Sequence, residues 1–361
     1  GTAFGEADRR GGTEVSRPAG AQRSGSPASL VPWETLGRQG RYFVARGPTV
    51  AELAAFSGRP ARQPVRVYVG LRSAGTVRER AALAVRELRR AGGFDRAALV
   101  VATATGTGHV DPAAAAAVEY LHNGDTAIVA VQYSYLPSWL SLLADPEPAR
   151  RAGRELFEQV HAAWSALPAD RRPRLLGTGT SLGVFGGEAA FDGAADLRAR
   201  TDGVVWAGPP HFSPLHRHFT AERDPGTPEW LPVYGSGRTV RFAATPADLG
   251  RPGSDRPRPR VVYLQNGTDP VVFWSPRLAV ERPDWLTGPR APGVSPRMSW
   301  IPLVTFWQVT ADLPFAAKAP PGHGHAYREI FADAWAAVAP PPGWTAQDTE
   351  RLRARLRAGT G

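Results

Sequence analysis

Apolar residues follow two alternating patterns along the chain. Runs that are β-branched or wholly apolar predict strands over 66–70, 97–103, 126–133, 174–177, 203–208 and 260–265. Apolar residues spaced by three and four, with capping residues at their ends, predict helices over 76–92, 111–121, 153–167, 182–191 and 326–338. Strands that alternate with helices are typical of a mostly parallel sheet covered by helices on both faces, so the fold class is α/β.

The same pattern divides the chain into segments. Residues 1–32 are rich in Gly, Ser, Arg and Ala with almost no large apolar residue, which predicts a flexible linker. A single α/β domain is expected over 33–344, followed by a C-terminal helix or tail over 345–361. Within the domain, 209–259 and 275–321 lose the alternation and predict irregular insertions at the rim of the sheet, the second of them rich in Trp and Phe.

Composition and charge narrow the class of protein. The chain has 361 residues, of which 42% are apolar and 21% charged, which excludes wholesale disorder. The net charge is +10, but Lys318 is the only lysine and the arginines are scattered among Ala, Gly and Pro. This spread favours compositional bias on solvated faces over a nucleic-acid site. The lone methionine, Met298, in a chain that begins at Gly1 predicts that the natural start lies upstream.

The sequence GTSLG at 179–183 places Ser181 between a predicted strand and a predicted helix. A Gly-x-Ser-x-Gly pattern in that setting is typical of the sharp turn that exposes a nucleophilic serine. The pattern alone is also compatible with an ordinary glycine-rich turn, so further residues must support it.

A nucleophilic serine needs a base, and the base needs a carboxylate that orients it. Asp269 follows the strand 260–265, and His325 precedes the last long helix, which gives the chain order Ser, Asp, His. His323 is the rival base and Asp312 the rival acid. The catalytic residues predicted from the sequence are therefore Ser181, Asp269 and His325.

The predicted site needs donors for an oxyanion but no metal. Backbone N–H groups of Leu182, Thr105 and Gly106 are the expected oxyanion-hole donors, from the start of the helix after Ser181 and from the loop after the strand 97–103. His211, His216 and His218 raise the alternative of a metal site. With no acidic residue in that cluster, neither a metal nor another cofactor is expected.

Many short motifs resemble a membrane-linked α/β-hydrolase family of high-GC, actinobacterial-type bacteria. They are WETLG at 33–37, RYFV at 41–44, GPT at 47–49, VYVG at 67–70, GTG at 106–108, QYSYLPSWL at 132–140, FGGEAAF at 185–191, WLPVY at 230–234, DPVV at 269–272, SPR at 295–297, TFW at 305–307, GHGH at 322–325 and PPPGW at 340–344. Family members commonly carry Glu where this chain has Thr180. The resemblance implies the α/β-hydrolase fold, with the catalytic domain over 33–344, and attachment to a membrane through segments outside this chain.

The function expected from the site is a serine hydrolase that acts on carboxylic esters, similar to an esterase or lipase, through an acyl-enzyme. Aromatic residues beside the predicted site loops are expected to line an apolar pocket for a small-molecule or lipid ester: Tyr133, Tyr135, Trp139, Trp274 and Trp307. Core packing is the alternative use of these residues. An acyltransferase with the same triad and a non-catalytic binding module are the alternative functions.

Overall fold

The structure, a computed structural model, describes residues 2–137 and 145–359. Seven strands in this part of the chain form one sheet: β1 (Val65–Val69), β2 (Ala98–Thr103), β3 (Thr126–Val131), β4 (Arg174–Thr180), β5 (Gly203–Ala207), β6 (Val240–Ala243) and β7 (Val261–Leu264). Their order in the sheet is β1-β3-β2-β4-β5-β7-β6, and every pairing is parallel. The predicted α/β class with a parallel central sheet is confirmed.

Burial explains why the strand sequences are continuous apolar runs. All residues of β1, β3 and β5 are buried, because helices cover both faces of a parallel sheet. Strand β3 lies between β1 and β2, so the chain crosses the sheet in one direction from β1 to β2 and in the opposite direction from β2 to β3. Because such connections are right-handed, the helices in these two crossovers lie on opposite faces of the sheet. The carboxyl ends of all seven strands therefore lie along one edge, where sites in such folds form.

The helices are α1 (Thr2–Arg10), α2 (Gly37–Ala45), α3 (Val50–Ser57), α4 (Val77–Arg90), α5 (Pro112–Leu121), α6 (Glu147–Ser165), α7 (Leu182–Glu188), α8 (Ala194–Arg200), α9 (Pro214–Ala221), α10 (Pro270–Phe273), α11 (Val304–Asp312), α12 (Phe331–Val338) and α13 (Ala346–Ala358). Helix α6 packs against both α4 and α7 on one face of the sheet. On the other face α5 packs against α12, and Trp335 donates its indole N–H to the carbonyl of Ala114. Five of these helices fall within or overlap the predicted ranges, although α12 begins at residue 331 rather than 326.

The segment before Trp33 differs from the linker expected there. Residues 2–10 form α1, and Ser24 is buried against β1, where its hydroxyl accepts the N–H of Tyr68 at 3.1 Å. The carboxylate of Glu87 on α4 accepts from the hydroxyl of Ser29 at 2.6 Å and from the N–H of Leu30 at 2.9 Å. Small polar residues are held here by hydrogen bonds rather than by burial of apolar side chains. The pattern of apolar residues along the chain therefore does not predict this packing.

Two elements lie inside 209–259, which was predicted to be irregular, and α11 lies inside the other such range, 275–321. Strand β6 forms the edge of the sheet beside β7, and α9 begins after Ser213 with Pro214 in its first turn. Both are short, and Pro and Gly around them hide their periodicity. Within the described ranges, no helix combines the length and the apolar character that crossing a membrane would require.

Candidate active site

Ser181 occupies a strained turn between β4 and α7. It lies one residue after the end of the strand and one before the start of the helix, with φ 56° and ψ −124°. A non-glycine residue with positive φ is uncommon and is retained where the surrounding structure requires it. The turn presents the serine at the carboxyl edge of the sheet, directly before the N-terminus of α7.

Close backbone packing explains the two glycines of the GTSLG motif. A Cβ on Gly183 would lie 2.4 Å from the carbonyl oxygen of Thr103 on β2, and one on Gly179 would lie 2.6 Å from the carbonyl oxygen of Gly183. Side chains at either position would force α7 away from the sheet. The glycines therefore allow the helix that follows Ser181 to pack against the strands.

Asp269 lies in the loop after β7 and caps α10, with its side chain fully buried. One carboxylate oxygen, Oδ1, accepts the N–H of Val271 at 2.9 Å. The other, Oδ2, lies 2.7 Å from Nδ1 of His325 and accepts the hydroxyl of Tyr327 at 2.6 Å. A carboxylate can only accept, so Nδ1 of His325 carries a proton and Nε2 is left to accept one.

The loop that carries His325 is fastened to the loop that carries Asp269. The amide of Asn266 donates to the carbonyl of Gly324 at 2.9 Å, and the N–H of Gly324 donates to the hydroxyl of Thr268 at 2.9 Å. The N–H of Asn266 in turn donates to the hydroxyl of Tyr327 at 3.1 Å. These bonds fix the position of the imidazole relative to the carboxylate, as a precise site requires.

The end of β5 lies next to both Ser181 and His325. Ser181 donates its backbone N–H to the carbonyl of Ala207 at 2.9 Å. The next residue, Gly208, lies under the imidazole of His325, since a Cβ at that position would lie 2.1 Å from Cε1 of the ring. The last residue of β5 therefore contacts Ser181 and the residue after it contacts His325, and of the three predicted triad residues Asp269 and His325 are in direct contact.

The environment of His325 sets its affinity for a proton. Burial by itself lowers the pKa of this imidazole, but the charge of Asp269 and the hydrogen bond to it raise the pKa, and the charge of Asp111 adds to that effect. The net result is a pKa above the usual value of about 6.5 for histidine.

The rival residues lie elsewhere. His323 is exposed, and its ring is close to Gly293. Asp312 is exposed at the end of α11. It is His325, and not His323, that contacts Asp269.

The expected oxyanion-hole residues divide into two groups. Leu182 is the first residue of α7, so its N–H lies at the helix N-terminus next to Ser181. Thr105 and Gly106 follow β2, but the N–H of Thr105 donates to the carbonyl of His109 at 3.0 Å inside its own turn. That bond occupies the N–H of Thr105 in this arrangement, whereas the N–H of Leu182 lies at the start of α7.

The aromatic residues expected to form one pocket are dispersed. Tyr133 is buried in a cluster with Leu182 and Phe185, and its hydroxyl has no hydrogen-bond partner. Tyr135 lies against Gly5 of α1, whereas Trp274 packs on His211. Trp307 is exposed on α11 with 64% of its surface accessible. Trp139 lies outside the described residues. Of the four described residues, Tyr133 is the one that clusters with Leu182, the residue after Ser181.

The three histidines of the metal alternative serve other roles. His216 is buried and lies 2.7 Å from the side-chain oxygen of Gln265, and burial lowers its pKa to about 4. His218 packs on Phe219 and Tyr234. Across 2–137 and 145–359, no three potential metal-ligating side chains come together as a site would need.

Several residues that shape the site escaped the sequence analysis. Tyr327 follows His325 by two residues, and Asn266 precedes Asp269 by three. This nearness along the chain is the sequence signal that could have identified them. Glu188, at the end of α7, is buried and accepts the N–H groups of Leu215 and His216 at 2.8 and 3.0 Å, which joins α7 to the start of α9. Burial raises the pKa of Glu188 to about 7 against these hydrogen bonds.

Comparison with known proteins identifies a family. Residues 65–352 match the model of a family described as an alpha/beta-hydrolase family, and residues 1–48 match the model described as the N-terminus of that family. No curated protein and no solved structure matches the chain significantly.

Proposed function

Because the chain belongs to the alpha/beta-hydrolase family, we propose that it is a serine hydrolase that cleaves carboxylic esters, with Ser181 as nucleophile. The observation that carries the proposal is the buried Asp269 bonded to Nδ1 of His325, with Ser181 in a strained turn next to Ala207 and His325 next to the following residue, Gly208. A buried carboxylate, an imidazole and a serine in a sharp turn are the groups that acyl transfer through a serine requires.

The proposed reaction begins with attack of Ser181 Oγ on the ester carbonyl carbon. Nε2 of His325 takes the hydroxyl proton, and Asp269 holds the tautomer and stabilises the resulting imidazolium. The carbonyl oxygen gains negative charge, which the N–H of Leu182 and the N-terminus of α7 stabilise. When the tetrahedral intermediate collapses, the C–O bond to the alcohol breaks and His325 returns its proton to the leaving oxygen.

Water then completes the proposed cycle. His325 accepts a proton from a water molecule that attacks the acyl-enzyme, and the second tetrahedral intermediate releases the carboxylic acid and restores the Ser181 hydroxyl. Each proton taken by Nε2 is given back within the same half-reaction. No step draws on a metal or another cofactor. Association with a membrane stays a prediction from the family resemblance.

Labelling with a fluorophosphonate probe tests the nucleophile. The wild-type protein should be labelled and should hydrolyse a p-nitrophenyl ester, and Ser181→Ala should lose both activities by at least about a thousandfold. Ser165→Ala, which changes an exposed serine at the end of α6, is the matched control and should behave like wild type. Turnover that survives in Ser181→Ala would refute the assignment, and a wild-type protein that neither reacts nor hydrolyses would favour the binding-module alternative.

A further inference from the structure

Asp269 contacts a third side chain, Tyr327, through the same oxygen that contacts His325. The hydroxyl of Tyr327 donates to Oδ2 of Asp269 at 2.6 Å, and Nδ1 of His325 lies 2.7 Å from that oxygen. The other carboxylate oxygen, Oδ1, accepts the N–H of Val271 at 2.9 Å. Two donors therefore converge on the one oxygen through which Asp269 acts on the imidazole.

The direction of the hydrogen bond from Tyr327 follows from its second partner. The backbone N–H of Asn266 donates to the hydroxyl oxygen of Tyr327 at 3.1 Å, and an amide N–H can only donate. The hydroxyl proton is therefore free to point at Oδ2 of Asp269, which can only accept it. Burial and the charge of Asp269 hold the pKa of Tyr327 well above its usual value of about 10, so the hydroxyl keeps its proton near neutral pH.

Tyr327 acts from inside the protein. It is buried, and its ring meets the imidazole of His325 edge to face, with the ring centroids 5.5 Å apart. In the part of the chain that the structure describes, the charged and titratable groups that face this imidazole are Asp269 from the loop after β7, Asp111 from the start of α5 and Tyr327 itself. The hydroxyl of Tyr327 bonds to Asp269, so its effect on His325 passes through that carboxylate.

A second donor on Oδ2 weakens the bond of this oxygen to the imidazole. Both donors draw on the same negative charge, so the bond from Tyr327 makes Asp269 a poorer acceptor for Nδ1 of His325. The imidazolium depends on that charge more than the neutral imidazole does, so the hydroxyl removes more stabilisation from the protonated ring. Tyr327 thus opposes the rise in the pKa of His325 that Asp269 causes.

We propose that Tyr327 is a positioning residue that shares Oδ2 of Asp269 with His325 and thereby limits the basicity of the imidazole, so that the enzyme is active at a lower pH. This inference rests on the proposed serine hydrolase reaction, in which the neutral form of His325 takes the Ser181 proton.

Tyr327→Phe removes the hydroxyl and keeps the ring, and Tyr263→Phe is the matched control. Tyr263 is also buried, and its hydroxyl donates to the buried carboxylate of Glu188 at 2.7 Å. In Tyr327→Phe the midpoint of the pH profile of kcat/KM should rise by about half a pH unit or more, whereas Tyr263→Phe should keep the wild-type midpoint. Both variants should unfold at lower urea concentration than wild type, because each takes a donor from a buried carboxylate.

A double-mutant cycle tests whether the hydroxyl acts through Asp269. In the Asp269→Asn background the charge that Tyr327 shares is gone, so adding Tyr327→Phe should move the midpoint much less than it does in wild type. An equal shift in both backgrounds, or the same midpoint in Tyr327→Phe and Tyr263→Phe, would overturn the inference.

An NMR titration separates this inference from the proposed function. The Cε1 proton of His325, identified by the resonance that is lost in His325→Gln, reports protonation of the ring without turnover. A higher titration midpoint in Tyr327→Phe than in wild type, in a protein without esterase activity, would support the role of Tyr327 and refute the proposed function. An unshifted midpoint in an active esterase would overturn the role of Tyr327 and leave the proposed function intact.

Discussion

Gly208 leaves no space for a side chain under His325. Its φ of 58° favours glycine, and any Cβ would overlap the imidazole. We expect Gly208→Ala to push the ring away from Ser181 and to lower kcat for ester hydrolysis at least a hundredfold while the protein stays folded, since a 1 Å displacement can have that effect.

A second glycine supplies the control for that substitution. Gly235 has a similar φ of 54° but no atom within 4 Å of a Cβ, so Gly235→Ala imposes the same backbone strain without a clash. Gly235→Ala should lose about 1 kcal/mol of unfolding free energy in urea titrations and Gly208→Ala at least as much, and only Gly208→Ala should lose activity. Equal kcat values for the two variants would show that the position of the imidazole does not limit the reaction.

The pH dependence of ester hydrolysis follows from the raised pKa of His325. Only the neutral imidazole accepts the serine proton, so kcat/KM should fall as the pH drops through a midpoint above about 6.5. In Asp269→Asn the stabilising charge is gone and burial dominates, so the midpoint of the residual activity should move to lower pH. A fluorogenic ester measured from pH 5 to 9 checks this, and an unchanged midpoint would contradict the pairing.

At the scale of residues, the sequence predicts the pairing of Asp269 with His325 better than it predicts the pocket. Asp269 and His325 were predicted from chain order and loop position, and the structure brings them together because loops after parallel strands meet at one edge. Thr105 was mispredicted as a donor because a turn within its loop uses its N–H. The contacts of Tyr135 and Trp274 involve segments far apart in the chain, which no local pattern reports.

Among the elements outside the sheet, the segment before Trp33 contacts both α4 and β1 through hydrogen bonds. Removal of residues 1–32 should deprive Glu87 of the Ser29 and Leu30 donors and uncover the edge of β1. We expect the unfolding free energy to fall by about 3 kcal/mol or more, measured by urea titration, because a buried carboxylate loses partners.

A shorter truncation makes that experiment specific. Removal of residues 1–11 takes away α1 but keeps Ser24, Ser29 and Leu30, so it should reduce the urea midpoint less. If the protein without residues 1–32 unfolds at the same midpoint as the full chain, the segment is a linker after all.

Long elements with clear periodicity were predicted, and short ones were not. Helices α4, α5 and α6 carry caps or apolar stripes that act locally, so their existence could be predicted from the sequence. Strand β6 has four residues and gains its stability from β7, which follows it in the chain. Tertiary pairing, rather than local propensity, determines such an element.

For the whole molecule, the excess of arginine has a structural explanation that composition alone did not give. Arg96 donates to the carbonyls of Gln63 and Gly124, and Arg241 donates to those of Gly237, Leu249 and Pro257. Arg23 is buried and bonds the carbonyls of Val44 and Arg46. Part of the positive charge therefore satisfies loop carbonyls inside the protein instead of lying on solvated faces.

The position of β7 between β5 and β6 has a consequence for how the protein is made. Strand β6 leaves the ribosome before β7, yet β7 is its partner in the sheet. The growing chain therefore carries an unpaired edge strand until residues 261–264 emerge, and the loop that carries Asp269 follows at once. His325 emerges more than fifty residues later, so assembly of the carboxylate and imidazole pair comes only after the last sheet strand is in place.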